Sequence, residues 1–275
     1  MKNFMLVMMT LTLFASCTET TQIDKKPVDI QLIRNATLKL MYNGTMFLID
    51  PSFSPKNGFM SFVVPNQNLN PTVDLPLSIT ELTQDVDAIL VTHLHLDHFD
   101  NEAKNNLNPA LPLFAQLTDS AALATSPFTN ISFVDDQKEY HGTSIIRTEG
   151  KHGPDHLLGD LGHVSGFVLK AANYPTIYII GDCLWDDEIK STIQKHHPDI
   201  IIANSGGAQF MGETILMDEN SVVELAKFAP NAQIMAVHME ALDHCFTTRK
   251  ILQDAADAAN IHVLIPQDGE TMTLK

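Results

Sequence analysis

The sequence predicts a layered α/β fold in a single domain, and three observations carry this prediction. The chain has 275 residues, 44% of them hydrophobic, which is enough for a substantial core. Apolar runs of strand length alternate with segments of helical pattern along much of the chain, as in layered α/β proteins. Several of these runs end in a histidine or an aspartate. We therefore expect layers of sheet and helix, and polar side chains gathered at the strand ends.

The N-terminal residues have the pattern of an export signal. A short basic start precedes an apolar stretch at 4–16, and Cys17 follows. As a helix this stretch would measure about 20 Å, less than the ~30 Å hydrocarbon layer of a membrane. We therefore expect a signal peptide over 1–16. Residues 13–17 resemble a bacterial lipobox, although Phe14 stands three residues before the cysteine and the leucine one place earlier.

Lipidation of Cys17 would make the chain an exported lipoprotein, periplasmic or anchored to the outer membrane. The polar residues 17–27 would then form a tether before a folded domain at 28–275. A plain cleaved signal peptide is the alternative, and fatty-acid labelling of the Cys17→Ser protein distinguishes the two.

Three strands are expected at the start of the folded domain, at 28–34, 36–42 and 45–50. Asn43-Gly44 joins the last two as a tight hairpin, because this pair tolerates positive φ at both turn positions. Residues 52–78 lack any period and form a loop too long for a mere connector. Its apolar residues either line a substrate site or fill an edge of the core; they are Phe53, Phe59, Met60 and Phe62.

A short helix at 78–84 and a strand at 85–92 lead to the segment His93-Leu94-His95-Leu96-Asp97-His98. Strand side chains alternate, so His93 and His95 point the same way, while Asp97 and His98 lie in the turn beyond. Imidazole nitrogens and carboxylates bind zinc and related metals. One ion cannot use all four side chains at this spacing, so the pattern indicates two ions. A solvated histidine-rich turn is the alternative.

The remaining elements alternate between strand and helix. Strands are expected at 113–115, 131–134, 143–148, 166–170, 176–180, 199–203, 233–237, 261–265 and 271–274. Helices are expected from 102, from 119, at 185–196, from an Asp218 cap to 228, and from a Thr247 cap to 259. Four strand ends carry a candidate ligand: His93, His152, Asp182 and His238.

The charge of the chain limits its partners. A net charge of −16 argues against nucleic acid, because that affinity comes mainly from Lys and Arg at phosphates. We expect a small-molecule substrate, and contact with a membrane only through a lipid anchor. The sequence leaves the oligomeric state open.

The H-x-H-x-D-H segment resembles the signature of the metallo-β-lactamase superfamily of metal-dependent hydrolases. Residues 150–153, 164–167, 181–182 and 237–241 look most like a bacterial group related to the ascorbate-phosphate lactonases and the phospholipase-D-like hydrolases of N-acyl phosphatidylethanolamine. The resemblance implies a four-layer αβ/βα sandwich and the hydrolysis of an ester, a lactone or a phosphodiester.

The resemblance also implies two sets of metal ligands that share one aspartate. The first set is His93, His95, His152 and Asp182. The second set is Asp97, His98, Asp182 and His238. Two divalent ions, zinc by default with manganese or iron as alternatives, would lower the pKa of a water so that hydroxide is available near neutral pH.

Each assignment has an alternative. His156 or His163 could replace His152 as a ligand, Asp182 could be a turn residue, and His238 could be a buried structural histidine. The whole protein could also bind a metal or a partner without turnover.

Further residues are expected near the ions. Asp97 would orient the attacking water or take its proton, and His244 would shuttle protons or join a structural network with Asp243. Asp50 would support the ligands from behind or simply form a turn, and Glu240 would stand beside the ions or join the same structural network. Cys183, next to Asp182, and Cys245 form either a disulfide or two buried thiols.

Overall fold

The computed structural model describes residues 24–63 and 67–275. The expected signal peptide and Cys17 lie outside the described residues, so the lipid anchor stays a prediction of the sequence. Within the described part of the chain, no helix has both the length and the apolar character needed to cross a membrane.

Strands and helices alternate along most of the folded chain. The strands are β1 (Val28–Arg34), β2 (Thr37–Tyr42), β3 (Thr45–Ile49), β4 (Phe59–Met60), β5 (Leu69–Asn70), β6 (Ala88–Val91), β7 (Leu113–Gln116), β8 (Ile131–Val134), β9 (Gln137–Tyr140), β10 (Thr143–Gly150), β11 (Val164–Lys170), β12 (Ile177–Ile179), β13 (Ile200–Asn204), β14 (Gln209–Phe210), β15 (Glu213–Thr214), β16 (Gln233–Val237) and β17 (Thr271–Leu274). The α-helices are α1 (Ile79–Thr83), α2 (Asn101–Asn106), α3 (Ser120–Leu123), α4 (Leu158–Leu161), α5 (Asp187–His196), α6 (Glu219–Phe228) and α7 (Arg249–Ala259). Two short 3-10 helices cover Leu117–Asp119 and Asp155–Leu157.

Two large sheets face each other, and helices cover both outer sides. One sheet has the order β17-β1-β2-β3-β6-β7-β8 and the other the order β16-β13-β12-β11-β10-β9. A core cluster with side chains from both sheets fills the space between them. A second cluster joins the six-stranded sheet to α5, α6 and α7, and a third joins the seven-stranded sheet to α1, α2 and α3. The four-layer αβ/βα sandwich expected from the sequence is confirmed.

The alternation of strand side chains explains why both faces of each sheet are apolar. In β13, Ile200 and Ile202 point into the core between the sheets, whereas Ile201 and Ala203 point towards the helices. A strand buried on both faces reads as an unbroken apolar run, which is why this strand was visible in the sequence.

Side-chain caps begin the three long helices. Asp186 accepts from the backbone N–H groups of Glu188 and Ile189, and Asp218 accepts from that of Ser221. The expected cap at Thr247 is wrong by one residue, because the Thr248 hydroxyl accepts from Ile251 N–H and begins α7. The Thr247 hydroxyl instead donates to the Glu219 carboxylate at 2.7 Å.

Two further expectations differ from the structure. Residues 261–265 form no strand, since only one isolated bridge joins Met235 to Leu264. The polar strand β9 and the hairpins β4–β5 and β14–β15 were not expected, because they are short and lack a strong apolar alternation.

The directions of the strands bring the candidate ligands to one edge. Strands β3 and β6 run parallel in one sheet, and β12, β13 and β16 run parallel in the other. Strand β10 has the same direction as β12, because both are antiparallel to β11. The carboxyl ends of these strands therefore meet where the two sheets adjoin.

Candidate metal centre

Two groups of side chains at this edge have the composition of metal sites. The first is His93, His95 and His152, and the second is Asp97, His98, Asp182 and His238. Within each group, one possible ligand atom from every residue lies within 4.8 Å of the others. All seven side chains that the sequence nominated as ligands are therefore brought together.

The second group has the spacing of a tetrahedral site. His98 Nε2 lies 3.2 Å from His238 Nε2, 3.2 Å from Asp182 Oδ2 and 3.4 Å from Asp97 Oδ2. His238 Nε2 lies 3.0 Å from Asp97 Oδ2 and 3.4 Å from Asp182 Oδ2. Four ligands at about 2.1 Å from a tetrahedral ion stand about 3.4 Å apart, so these atoms fit one divalent ion.

The first group consists of three histidine rings facing one another. Their ring centroids lie 4.5 Å (His93–His95), 5.4 Å (His93–His152) and 5.1 Å (His95–His152) apart. Among the described residues, the buried His93 Nε2 has no hydrogen-bond partner. Buried polar nitrogens are rarely left without a partner, so this atom fits a role as a metal ligand.

Asp182 stands between the two groups. Its Oδ2 lies 3.6 Å from His152 Nε2 in the first group and within 3.4 Å of both histidines of the second. Its Oδ1 accepts a hydrogen bond of 2.6 Å from the Asn204 amide. The carboxylate therefore lies within reach of both groups, and an asparagine at the end of β13 holds it there.

Hydrogen bonds from behind orient the imidazoles. His152 Nδ1 lies 3.0 Å from the Ile215 carbonyl, to which it can donate, and this leaves Nε2 facing the site. Asp50 Oδ2 lies 2.8 Å from His98 Nδ1, and the same carboxylate accepts from the backbone and hydroxyl of Thr92 at 2.7 Å each. Asp50 therefore has the supporting position that the sequence raised as one of two possibilities.

The backbone is left-handed at three residues around the site. Asn35, Asp50 and His238 have φ values of 59°, 46° and 65°. Residues other than glycine adopt this region infrequently, and such conformations are concentrated at functional sites. At His238 the turn directs the ring from the end of β16 towards Asp97 and Asp182.

Burial lowers the pKa values of His93 and His152, whereas pairing with carboxylates raises those of His98 and His238. Burial, together with the neighbouring histidines, lowers the pKa of His93 well below its usual value and that of His152 to about 4. For His98 and His238 burial also favours the neutral form, but the carboxylates around them, Asp182 above all, raise both pKa values well above the usual one.

The two carboxylates of the second group show the complementary shifts. Burial by itself favours their protonated forms, but the charges and hydrogen bonds of His98 and His238 hold the pKa of Asp97 and of Asp182 well below the usual range. The second group is therefore a network of ion pairs, whereas His93 and His152 of the first group are neutral imidazoles.

A cavity of about 170 Å³ lies over the two groups. Its lining residues are Phe62, His95, Asp97, His152, Asp160, Leu161, Asp182, Phe210, Ile215 and His244. Phe53 is instead buried beside the helices of the seven-stranded sheet, and Met60 is exposed. The apolar residues of the 52–78 loop therefore have different places: Phe62 lines the cavity, whereas Phe53 lies in the core.

Some nominated residues lie elsewhere. The Glu240 carboxylate pairs with the Arg249 guanidinium and accepts from the Arg249 backbone N–H at 3.1 Å, so the expected position beside the ions is wrong for its side chain. His156 and His163 are exposed and do not compete with His152. Cys183 is buried beneath the sheet, and both Cys183 and Cys245 are free thiols.

Two residues that support the ligands were not predicted from the sequence. The Asn35 amide donates to Asp97 Oδ2 at 3.3 Å, and its backbone carbonyl accepts from His238 N–H at 2.8 Å. Asn204 holds the bridging Asp182 as described above. An asparagine at the end of a strand usually forms a turn. The only sequence signal that Asn204 supports a ligand was its position at the end of a parallel strand.

The chain is similar to known proteins in sequence and in fold. Residues 45–239 match the family described as Beta-lactamase superfamily domain. The chain is 36% identical over 253 residues to UPF0173 protein YddR of Bacillus subtilis (strain 168), and the alignment covers 90% of this chain and 100% of the relative.

Two solved structures are similar over nearly their whole length. A possible metal-dependent hydrolase from Veillonella parvula DSM 2008 has a TM-score of 0.86 and 36% identity, with 90% of this chain and 99% of that chain covered. An isothiocyanate hydrolase from Delia radicum gut bacteria has a TM-score of 0.84 and 35% identity, with 89% and 98% covered.

Metal content tests the ligand assignment. Zinc-loaded wild-type protein should hold about two ions per chain by elemental analysis, and His152→Ala about one, because only the first group loses a ligand. Asp182→Ala should lose both, since its carboxylate stands between the groups. His156→Ala is the matched control and should keep both. Two ions retained in both His152→Ala and Asp182→Ala would contradict the assignment.

Metal binding should release protons, because the pKa shifts predict protonated His98 and His238 in the metal-free protein at neutral pH. An ion binds only the neutral imidazoles, so its apparent affinity should rise with pH and the second group should release about two protons near pH 7. His93 and His152 should release about none, since their pKa values are low. Titration calorimetry in buffers of different ionisation enthalpy measures this release. Binding without proton release would contradict it.

Proposed function

The chain belongs to the Beta-lactamase superfamily domain family and is a metal-dependent hydrolase, and we propose that it uses two metal ions to hydrolyse small uncharged electrophiles. The resemblance of the H-x-H-x-D-H segment to metallo-β-lactamase-fold hydrolases is confirmed by this membership. The two ligand groups, with Asp182 between them, support the number of ions.

The chemistry of the cavity wall carries the substrate proposal. Four of its residues are apolar: Phe62, Leu161, Phe210 and Ile215. No lysine or arginine lines it among the described residues. A phosphodiester would have only the metal ions to balance its charge, whereas the apolar wall suits an uncharged substrate with an apolar substituent. Of the classes expected from the sequence, esters and lactones fit better than phosphodiesters.

Isothiocyanates are a third candidate class. The solved structure named isothiocyanate hydrolase covers nearly the whole folded chain at 35% identity, and an isothiocyanate is an uncharged electrophile with one substituent. Hydrolysis adds one water across the central carbon, so that R–N=C=S and H₂O give R–NH₂ and COS. The carbon–nitrogen bond breaks, and the water supplies the two protons of the amine.

The bound ions would supply an acidified water and polarise the substrate. The side chains then position and move protons. Asp97 is ionised because of its low pKa, so it accepts a hydrogen bond and orients the nucleophile. The Asn35 amide, at 3.3 Å, fixes the orientation of that carboxylate.

His244 lies where it can transfer one of the two protons that hydrolysis moves from water to the leaving group. It lines the cavity, and its buried Nδ1 has no hydrogen-bond partner among the described residues. Burial lowers the pKa of His244 below its usual value, so the ring is neutral near pH 7. A neutral imidazole both accepts and donates, and it can deliver a proton to the leaving nitrogen or oxygen.

A substrate panel tests the proposed function. Purified zinc- or manganese-loaded protein is assayed with an isothiocyanate, a lactone, an ester and a phosphodiester of matched substituent. We expect saturable turnover of at least one uncharged class, abolished by a chelator and restored by metal, and a kcat/KM at least about 100-fold lower for the phosphodiester. If metal-loaded protein hydrolyses none of these substrates, the result would favour a binding protein without turnover.

Replacement of His244 by phenylalanine tests the proton-transfer role. His244→Phe keeps a ring against Phe62, so metal content should be unchanged while kcat falls about 100-fold. His156→Phe, on the surface, is the matched control and should keep wild-type kcat. An unaltered kcat in His244→Phe would remove His244 from the mechanism.

A further inference from the structure

Asp243 binds a hairpin that is remote in sequence. Its Oδ1 accepts from Ser61 Oγ and from Asn70 Nδ2, each at 2.9 Å, and its Oδ2 accepts from Asn68 Nδ2 at 3.1 Å. Its backbone N–H donates to Asn70 Oδ1 at 3.0 Å. Asn70 is fully buried, and only 8% of the Asp243 side chain is exposed. These three partners of Asp243 belong to the segment around the β4–β5 hairpin.

The same hairpin carries one wall of the cavity. Phe62 meets His244 edge to face, with ring centroids 5.5 Å apart and an interplanar angle of 89°. Phe59 packs behind Phe62 at 5.4 Å. Both Phe62 and His244 line the cavity. Asp243 precedes His244 directly, so the carboxylate joins the two segments from which these rings come.

We propose that Asp243 is a positioning residue that holds Phe62 against His244, and that these rings form the recognition wall for an apolar substituent of about the size of a benzene ring. The proposal rests on the proposed function and specifies the substituent of its substrate. The cavity of about 170 Å³ supports the size, since an apolar cavity of about 150 Å³ accommodates benzene.

A carboxylate suits this task better than any other side chain of its size. It only accepts hydrogen bonds, and Asp243 receives three from side chains of one segment. An asparagine here would turn its amide donor towards at least one of them. The contact to His244 is of a different kind, because Asp243 Oδ1 lies 3.8 Å from His244 Nδ1, beyond hydrogen-bond distance. Asp243 therefore positions the ring and does not relay its proton.

Two metal-chelating ligands of different size test the wall without any turnover. Zinc-loaded protein is titrated calorimetrically with acetohydroxamate and with benzohydroxamate, whose chelating groups are the same. In Asp243→Asn and in Phe62→Ala, benzohydroxamate affinity should fall about fivefold, the magnitude of one lost aromatic contact. Acetohydroxamate affinity should change less than about twofold. The double variant should show no further fall, because both changes remove one interaction.

Asp199→Asn is the matched control. Asp199 also joins two segments through its carboxylate, which accepts from Thr176 N–H and Lys25 Nζ, but it lies before β13, at the opposite end of that strand from Asn204. Both affinities should stay at the wild-type values. Asn68→Ala removes a single donor and serves if Asp243→Asn does not fold, with an expected fall of about twofold for benzohydroxamate alone.

Each outcome bears on the proposal. An unchanged affinity ratio in Asp243→Asn, while Phe62→Ala lowers it, would overturn the role of Asp243. Equal loss of both ligands, or no binding by the wild type, would overturn it as well. Failure of the proposed function would be a separate result. If the wild-type protein binds both hydroxamates and hydrolyses none of the electrophiles, the two affinities still show whether Asp243 sets their ratio.

Discussion

Buried charge at the strand ends is the constraint on which the rest of the structure depends. Asp97, His98, Asp182 and His238 are all buried, and a buried charge without a partner costs several kcal/mol. Here the four side chains compensate one another at 3.0–3.4 Å. Asp50 bonds the second nitrogen of His98, Asn204 and Asn35 donate to Asp182 and Asp97, and the Cys245 thiol lies 3.8 Å from His238 Nδ1. The four charges balance one another. Removal of any one of these side chains therefore leaves its partners as buried charges without compensation.

The candidate metal centre lies where the two sheets adjoin. The segment from His93 to His98 follows a strand of one sheet, whereas His152, Asp182 and His238 follow strands of the other. Backbone hydrogen bonds join the two sides of this seam, from Ser165 N–H to the Thr92 carbonyl and from His238 N–H to the Asn35 carbonyl. The apolar core between the sheets keeps this seam rigid, because close-packed interiors resist small displacements. The ligand distances are therefore a property of the whole sandwich.

The cavity combines a charged floor with apolar walls. Asp97, Asp182 and the histidines lie below, and Phe62, Leu161, Phe210 and Ile215 lie around the opening. Apolar walls exclude water from a bound substrate, which strengthens each electrostatic interaction with the floor. The floor comes from strand ends held by the sheets, whereas Phe62 and Phe210 come from short hairpins. The reaction and the choice of substituent thus depend on different parts of the fold.

Much of this centre could be predicted from the sequence, since its ligands are metal-binding residue types that follow apolar runs, and strand periodicity is local. The sequence could not assign Glu240, whose left-handed backbone turns the side chain to Arg249, nor the supporting roles of Asn35 and Asn204. By itself the sequence determined the apolar runs of strand length and the candidate ligands at their ends, because these follow from side-chain type and spacing along one strand, whereas the four layers and the two ligand sets came from the family resemblance. Only the tertiary structure decided which residues hold those ligands and which rings enclose the substrate, because these contacts join segments far apart in the chain and depend on how the two sheets meet.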